Sequence, residues 1–266
     1  MNRHARPGIR RSQRWPGRQS GLSLVEVMIG LTVGLLIMLS ALTLYTVNLR
    51  YAVDLLGAAR LNAELRAAMD MMVTDIRRAG FGGQAFTEPH FSDLELYEDG
   101  SCLVFTYDAN QDGVLRQKAD DASGSYELFG FKVDDQILKV RQGGGDLSAC
   151  NSGGQWHGLT DPASVRIARE EPVFSLDVQC LRTDTGERAE GQRCRPGFAL
   201  YEAASAEAAS IDLDSGLLPI RLVETRLVHL TLEGALTRDP TIRARRTQAV
   251  FVRNHRVVNL PISASD

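Results

Sequence analysis

No catalytic signature is present in this chain. It has no G-x-S-x-G nucleophile elbow, no H-E-x-x-H pair and no phosphate-cradling glycine loop. Its five histidines (His4, His90, His157, His229, His255) never stand at metal-ligand spacing. None of its four cysteines forms a C-x-x-C pair, which removes zinc-knuckle and thioredoxin-type sites. These absences argue against an enzyme. No internal repeat stands out. Two further absences are local. Residues 1–21 contain no acidic residue, and residues 27–47 contain no charge at all.

The first 21 residues instead contain six arginines, Arg3, Arg6, Arg10, Arg11, Arg14 and Arg18. The total net charge is −3, so the rest of the chain stands at −9 once those arginines are set aside. An acidic body disfavours wholesale nucleic-acid binding.

The uncharged run "VMIGLTVGLLIMLSALTLYTV" is 21 residues long, and about 20 suffice to span a bilayer as a helix. With the arginines ahead of it, the positive-inside rule predicts a cytoplasmic N-terminus and the bulk of the chain on the far side. A secretory signal has an h-region of about 7–15 residues ending at an A-x-A-like site. This run is too long, and no such site follows. A plain signal anchor explains the span but not Glu26, which stands just before it. An acidic residue at a bilayer centre costs roughly 2.5–3.5 kcal/mol by insertion scales.

A basic leader, then Gly21, then "LSLVEVMIGLTVGLL", resembles the prepilin leader of the type IV pilin and type II secretion pseudopilin superfamily. The resemblance implies cleavage by the prepilin peptidase between Gly21 and Leu22, on the cytoplasmic face, with N-methylation of the new terminus. Leu22 departs from the usual phenylalanine, and the leader is longer than the shortest in the family. After cleavage, Leu22 would carry a free amine close to Glu26. A carboxylate in a low-dielectric setting must be paired or protonated. Glu26 would then meet the N-terminal ammonium of a neighbouring subunit and set register. The alternative is a glutamate snorkelling at the interface of a lone anchor. Gly30 and Gly34 form a small-xxx-small pair that suits close helix approach; ordinary transmembrane composition explains them equally.

Past the run, apolar residues recur at Leu49, Val53, Leu56, Leu61, Leu65, Met69, Met72 and Ile76, the spacing of an amphipathic helix. Arg77 and Arg78 suit the last turn, and Gly80, Gly82 and Gly83 suit a stop. A continuous helix from Leu22 to Ala79 would be about 87 Å long at 1.5 Å per residue. The ending "TDIRRAGF" is similar to the same stretch of PilW-type minor pilins, in which the helix's second half packs under a β-rich head. "FVRNHRVVNL" resembles the terminal strand of such heads.

After Gly83 the periodicity changes. Strands are predicted at 101–107, 126–133, 136–142, 173–180, 221–234, 247–254 and 256–260. "VDDQ" (133–136) reads as a hairpin turn. In 221–234 the two faces separate imperfectly, and a bulge is predicted. "YEAASAEAAS" (201–210) is helix-prone, with a turn at "IDLDSG", and 142–158 reads as a long glycine-rich loop. The basic stretch "RDPTIRARR" (238–246) reads as a solvated loop rather than a DNA contact. The fold class is α+β, with a long N-terminal pilin helix on an antiparallel β-rich head. The divisions are leader 1–21, transmembrane half 22–47, amphipathic half 48–80 and head 81–266.

Cys102, Cys150, Cys180 and Cys194 all lie beyond the apolar run. An even count on the far side of a membrane predicts disulfides. Cys180 and Cys194 bracket a polar loop and are the favoured pair. Cys102 and Cys150 would form the other, though four cysteines permit three pairings. Four buried thiols are the alternative. "DANQDG" places Asp108, Asn110 and Asp112 at positions 1, 3 and 5 of an EF-hand-like calcium loop, with Gly113 at 6. Position 12 is Ala119 rather than glutamate, with Asp120 and Asp121 just beyond. A turn rich in Asp, Asn and Gly is the competing reading, and no other cofactor is implied.

The resemblance implies a minor pilin of a type IV pilus, made in the inner membrane with a periplasmic head. Its partners would be the prepilin peptidase, other minor pilins, the major pilin and the assembly platform. A minor pseudopilin of a type II secretion system shares the same N-terminal logic. A signal-anchored periplasmic binding domain is the reading from another class.

Overall fold

A 55-residue helix, α1 (Leu24–Arg78), is the longest element. The computed structural model describes residues 21–82, 93–114, 127–142, 147–151, 153–168, 172–211 and 219–260. The chain divides into two compact units, Met1–Val53 and Asp54–Asp266.

In the first unit every described side chain is exposed. The helix there is long and apolar enough to cross a membrane. Its few polar side chains bond to their own helix. The hydroxyls of Thr32, Ser40, Thr43 and Thr46 donate to the carbonyls of Ile29, Leu36, Ser40 and Thr43 at 2.8–2.9 Å. Such back-bonding leaves those hydroxyls in no need of water, as an apolar medium requires.

In the second unit α1 buries one stripe: Leu61, Leu65, Ala68, Met69, Met72, Val73 and Ile76. Leu49, Val53 and Leu56, predicted on the same stripe, are exposed. The spacing is right for a helix, but full burial of the stripe begins only at Leu61.

Two antiparallel sheets form the head. One has the order β1 (Leu94–Tyr97), β2 (Cys102–Thr106), β3 (Leu128–Asp134), β4 (Ile137–Gln142) and β5 (Gln155–Gly158). The other has β9 (Arg221–Leu236) at its centre. On one side β9 pairs with β7 (Phe174–Arg182) and β6 (Val165–Ile167); on the other it pairs with β11 (Arg256–Asn259) and β10 (Arg243–Phe251). The short strand β8 (Arg188–Glu190) extends β7. A second helix, α2 (Ala199–Ala208), follows. Beside the helix stripe, the main core takes Leu103, Phe105 and Phe131 from the first sheet and Phe174, Val228 and Leu230 from the second. Gly234 lets β9 close on the helix, because a Cβ there would stand 3.2 Å from the side chains of both Leu65 and Val165. At Gly100, between β1 and β2, φ is 81° and a Cβ would come within 2.3 Å of the Phe174 carbonyl, so only glycine fits.

Several predicted elements are corrected. The β9 ladder to β7 and β10 runs without a bulge, and its burial alternates strictly along the strand. The imperfect sidedness arises because Glu224 and Arg226 point inward and are buried. The loop predicted over 142–158 contains β5, paired to β4; residues 143–146 and 152 lie outside the described residues. The basic stretch 238–246 is not loop throughout, since Arg243–Arg246 open β10 and pair with Leu232–Ala235 of β9. Strands β1, β6 and β8 were not predicted. The turn between β3 and β4 narrows to Asp135 and Gln136, with φ of 52° and 62°, the backbone of a type I′ hairpin. The turn predicted at "IDLDSG" lies, past Ile211, outside the described residues.

Candidate assembly site

Gly21, Leu22 and Ser23 precede the helix and are exposed. The Ser23 carbonyl accepts the N–H groups of Glu26 and Val27 at 3.0 and 3.1 Å, so the first turn of α1 begins there. Two consequences follow. The Gly21–Leu22 peptide bond lies outside the helix, so a protease need not unwind it. Glu26 lies in the first turn of the helix, where the dipole and free N–H groups favour an anion. Its side chain has no ion-pair partner among the described residues. Nothing lies within 4 Å of where a Cβ would stand on Gly30 or Gly34, so that helix face is open. The leader arginines lie outside the described residues.

Within the head, disulfides join Cys102 to Cys150 and Cys180 to Cys194. Each organises a satellite core. The first packs with Val104 and Leu128, the second with Leu200, Ala204 and Leu222. The Cys194 backbone N–H donates to Glu224 Oε2 at 2.9 Å, and Glu224 Oε1 lies 4.0 Å from Arg226 Nε. Burial lowers the Arg226 pKa to about 10, against the opposing pull of Glu224. Arg226 donates to the Asn254 carbonyl at 2.8 Å, and Asn254 Nδ2 donates to the Ala79 carbonyl at the helix end at 3.1 Å. Beside them Arg193 bonds Glu95 at 2.6 Å and the Leu94 carbonyl at 2.9 Å, linking the disulfide loop to the other sheet. This buried network was missed in the sequence. Its signal was the misplaced Glu and Arg in β9.

The structure brings Asp108 and Asp112 together with a residue not predicted, Glu127. Asn110 Oδ1 accepts the Asp112 N–H, and Asn110 Nδ2 donates to Asp112 Oδ2, both at 3.0 Å. Ala119, Asp120 and Asp121 lie outside the described residues. Arg245 and Arg246 of the basic stretch find partners within the protein, Glu233 of β9 at 4.0 Å and Asn62 of α1 at 3.3 Å.

Comparison with known proteins agrees with this layout. Residues 16–42 match the model described as prokaryotic N-terminal methylation motif, and residues 54–252 match that of prepilin peptidase-dependent protein B. An uncharacterised protein of Haemophilus influenzae is 28% identical, covering 41% of this chain and 64% of that protein. The chain thus spans slightly less than two thirds of that relative. Prepilin peptidase-dependent protein B of Escherichia coli is 23% identical, covering 57% of this chain and 76% of that protein. No solved structure matches. With an N-terminal methylation motif, a long apolar helix and an antiparallel β-rich head, the chain belongs to the prepilin peptidase-dependent protein B family, among the type IV pilin-like minor pilins.

Proposed function

We propose that this chain is a minor pilin of a type IV pilus, of the PilW branch, built into the filament or priming its assembly. The supporting observation is the exposed, non-helical Gly21–Leu22 bond directly ahead of a helix with Glu26 in its first turn. Prepilin peptidase removes residues 1–21 on the cytoplasmic face. Residues 22–47 hold the subunit in the inner membrane, 48–80 lead out of it, and the head (81–266) is periplasmic. On extraction, the apolar half joins the helix bundle of the filament. There Glu26 pairs with a neighbour's N-terminal amine, and the head selects other minor pilins or the major pilin. The protein acts as a structural subunit.

The test is the mass of the protein purified from membranes with and without an active prepilin peptidase. The reading requires loss of residues 1–21 and gain of one methyl group only when the peptidase is active. An intact leader under both conditions overturns it. Deletion then separates the systems: loss of surface pili fits the pilus, whereas loss of exoprotein secretion with pili intact assigns the chain to type II secretion.

A further inference from the structure

We propose that Asp108, Asp112 and Glu127 bind one calcium ion, which clasps the loop after β2 to the residue that enters β3. One carboxylate oxygen from each of the three lies within 4.8 Å of the other two. Two ligands of one ion at a calcium–oxygen distance of about 2.4 Å are at most about 4.8 Å apart, so the three can share an ion. An acidic cluster alone would say little. The second observation is Asp108, which is 1% exposed. Its Oδ2 accepts the Gly113 N–H at 3.0 Å, but its Oδ1 is fully enclosed and accepts no hydrogen bond from the described residues. A buried carboxylate oxygen without a donor is costly. A cation between these carboxylates supplies what that oxygen lacks.

The donor chemistry is all hard oxygen, which suits calcium or magnesium rather than zinc. Glu127 is fully buried and its Oε1 accepts the Ala109 N–H at 3.0 Å, so it is fixed against the loop. It takes the part of the glutamate that an EF-hand has at position 12 and this sequence lacks. Asn110 has a different task here, bracing Asp112 through two hydrogen bonds. With only three carboxylates, the shell is completed by water or peptide oxygens, and calcium, with six to eight ligands at about 2.3–2.6 Å, tolerates an irregular arrangement of them that magnesium's near-ideal octahedron does not.

The site also touches the chain leaving α1. The Asp108 N–H donates to the Phe81 carbonyl at 2.7 Å, and the Gly80 N–H donates to the Thr106 carbonyl at 2.8 Å. An ion here steadies the helix exit along with the loop.

The experiment uses the full chain in detergent, stripped with a chelator and titrated calorimetrically with CaCl2 alone. One ion binds per chain, with Kd on the order of 10⁻⁴–10⁻³ M, the range of extracellular modules, and the melting temperature rises with calcium. Asp112 is exposed, so Asp112→Asn keeps the ion-free melting temperature while its calcium affinity falls roughly tenfold or more, as a lost ligand charge requires. Glu127→Gln weakens binding in the same way. Absence of binding at about 10 mM calcium, tenfold or more above that Kd, overturns the proposal. So does unchanged affinity in Asp112→Asn, or an equal response to MgCl2.

Discussion

Glu224 Oε2, buried on the inward face of β9, accepts the backbone N–H of Cys194 at 2.9 Å. One carboxylate thus ties a disulfide loop to the central strand and stands beside the buried Arg226. Truncating Glu224 to Leu leaves that N–H without its acceptor and takes the carboxylate away from the buried guanidinium. We predict a loss of about 3–5 kcal/mol, the usual cost of breaking a buried pair from one side. The double variant Glu224→Leu/Arg226→Met should recover most of it. Denaturant midpoints of the two variants check this; a double variant no better than the single one would contradict it.

The two disulfides close loops of different length, 48 residues for Cys102–Cys150 and 14 for Cys180–Cys194. Loop-closure entropy then predicts losses of about 4 and 3 kcal/mol for Cys102→Ser and Cys180→Ser. Melting curves with and without reductant test this. A wild-type melting temperature indifferent to reductant would count against both bonds.

Much of this architecture was readable in the sequence, and the exceptions have physical reasons. The 21 uncharged residues announced the apolar helix because length and composition alone decide that question. The longer strands declared themselves by alternation. Strands β1, β5, β6 and β8 are three or four residues long, too short for a period of two to stand out. In β9 the alternation is strict in space, but Glu224 and Arg226 occupy core positions, so the pattern looked broken. Glu127 lies 15 residues past Asp112 in sequence and reaches it through the pairing of Thr106 with Leu128. No local motif records such a contact.

Acid should unfold the head in two stages. Burial and the Arg226 charge lower the His255 pKa. The unfolded chain therefore binds the proton first, and this contribution is present above about pH 6.5 and lost as pH falls towards the lowered value. Glu207 and Asp184 are held below their ordinary values by hydrogen bonds from Arg182. Their contribution is present above about pH 4.5 and is lost as pH falls through the lowered values. Both carboxylates are largely solvated, so the second stage is small. Melting temperature against pH should lose its upper slope in His255→Gln and show a shallower lower slope in Arg182→Leu, where Asp134, Asp161 and Asp239, also held low, keep the remainder. Identical profiles for all three proteins would refute the assignment.

Full burial of α1 in the head begins at Leu61. Leu65 is fully buried, whereas Leu56 is 70% exposed. Leu65→Ala should therefore cost about 2–5 kcal/mol through lost burial and a residual cavity. Leu56→Ala should stay within about 0.5 kcal/mol, as surface substitutions do. Denaturation in detergent compares them directly, and equal losses would mean that Leu56 also packs into the fold.

Cleavage and assembly make separate demands on the first turn of α1. Cleavage acts on the Gly21–Leu22 bond, outside the helix, and Glu26 lies four residues beyond Leu22 on the first turn. Glu26→Ala should therefore be processed at the normal rate. If the carboxylate pairs with a neighbour's new amine in the bundle, its loss removes a charge-assisted contact in a low-dielectric setting. A contact worth more than about 1.4 kcal/mol changes an equilibrium at least tenfold, so filament incorporation should fall by roughly that factor. Immunoblots of sheared filaments against membrane fractions read both quantities from one culture. A processed variant recovered in filaments at the wild-type level would leave Glu26 with no part in subunit register.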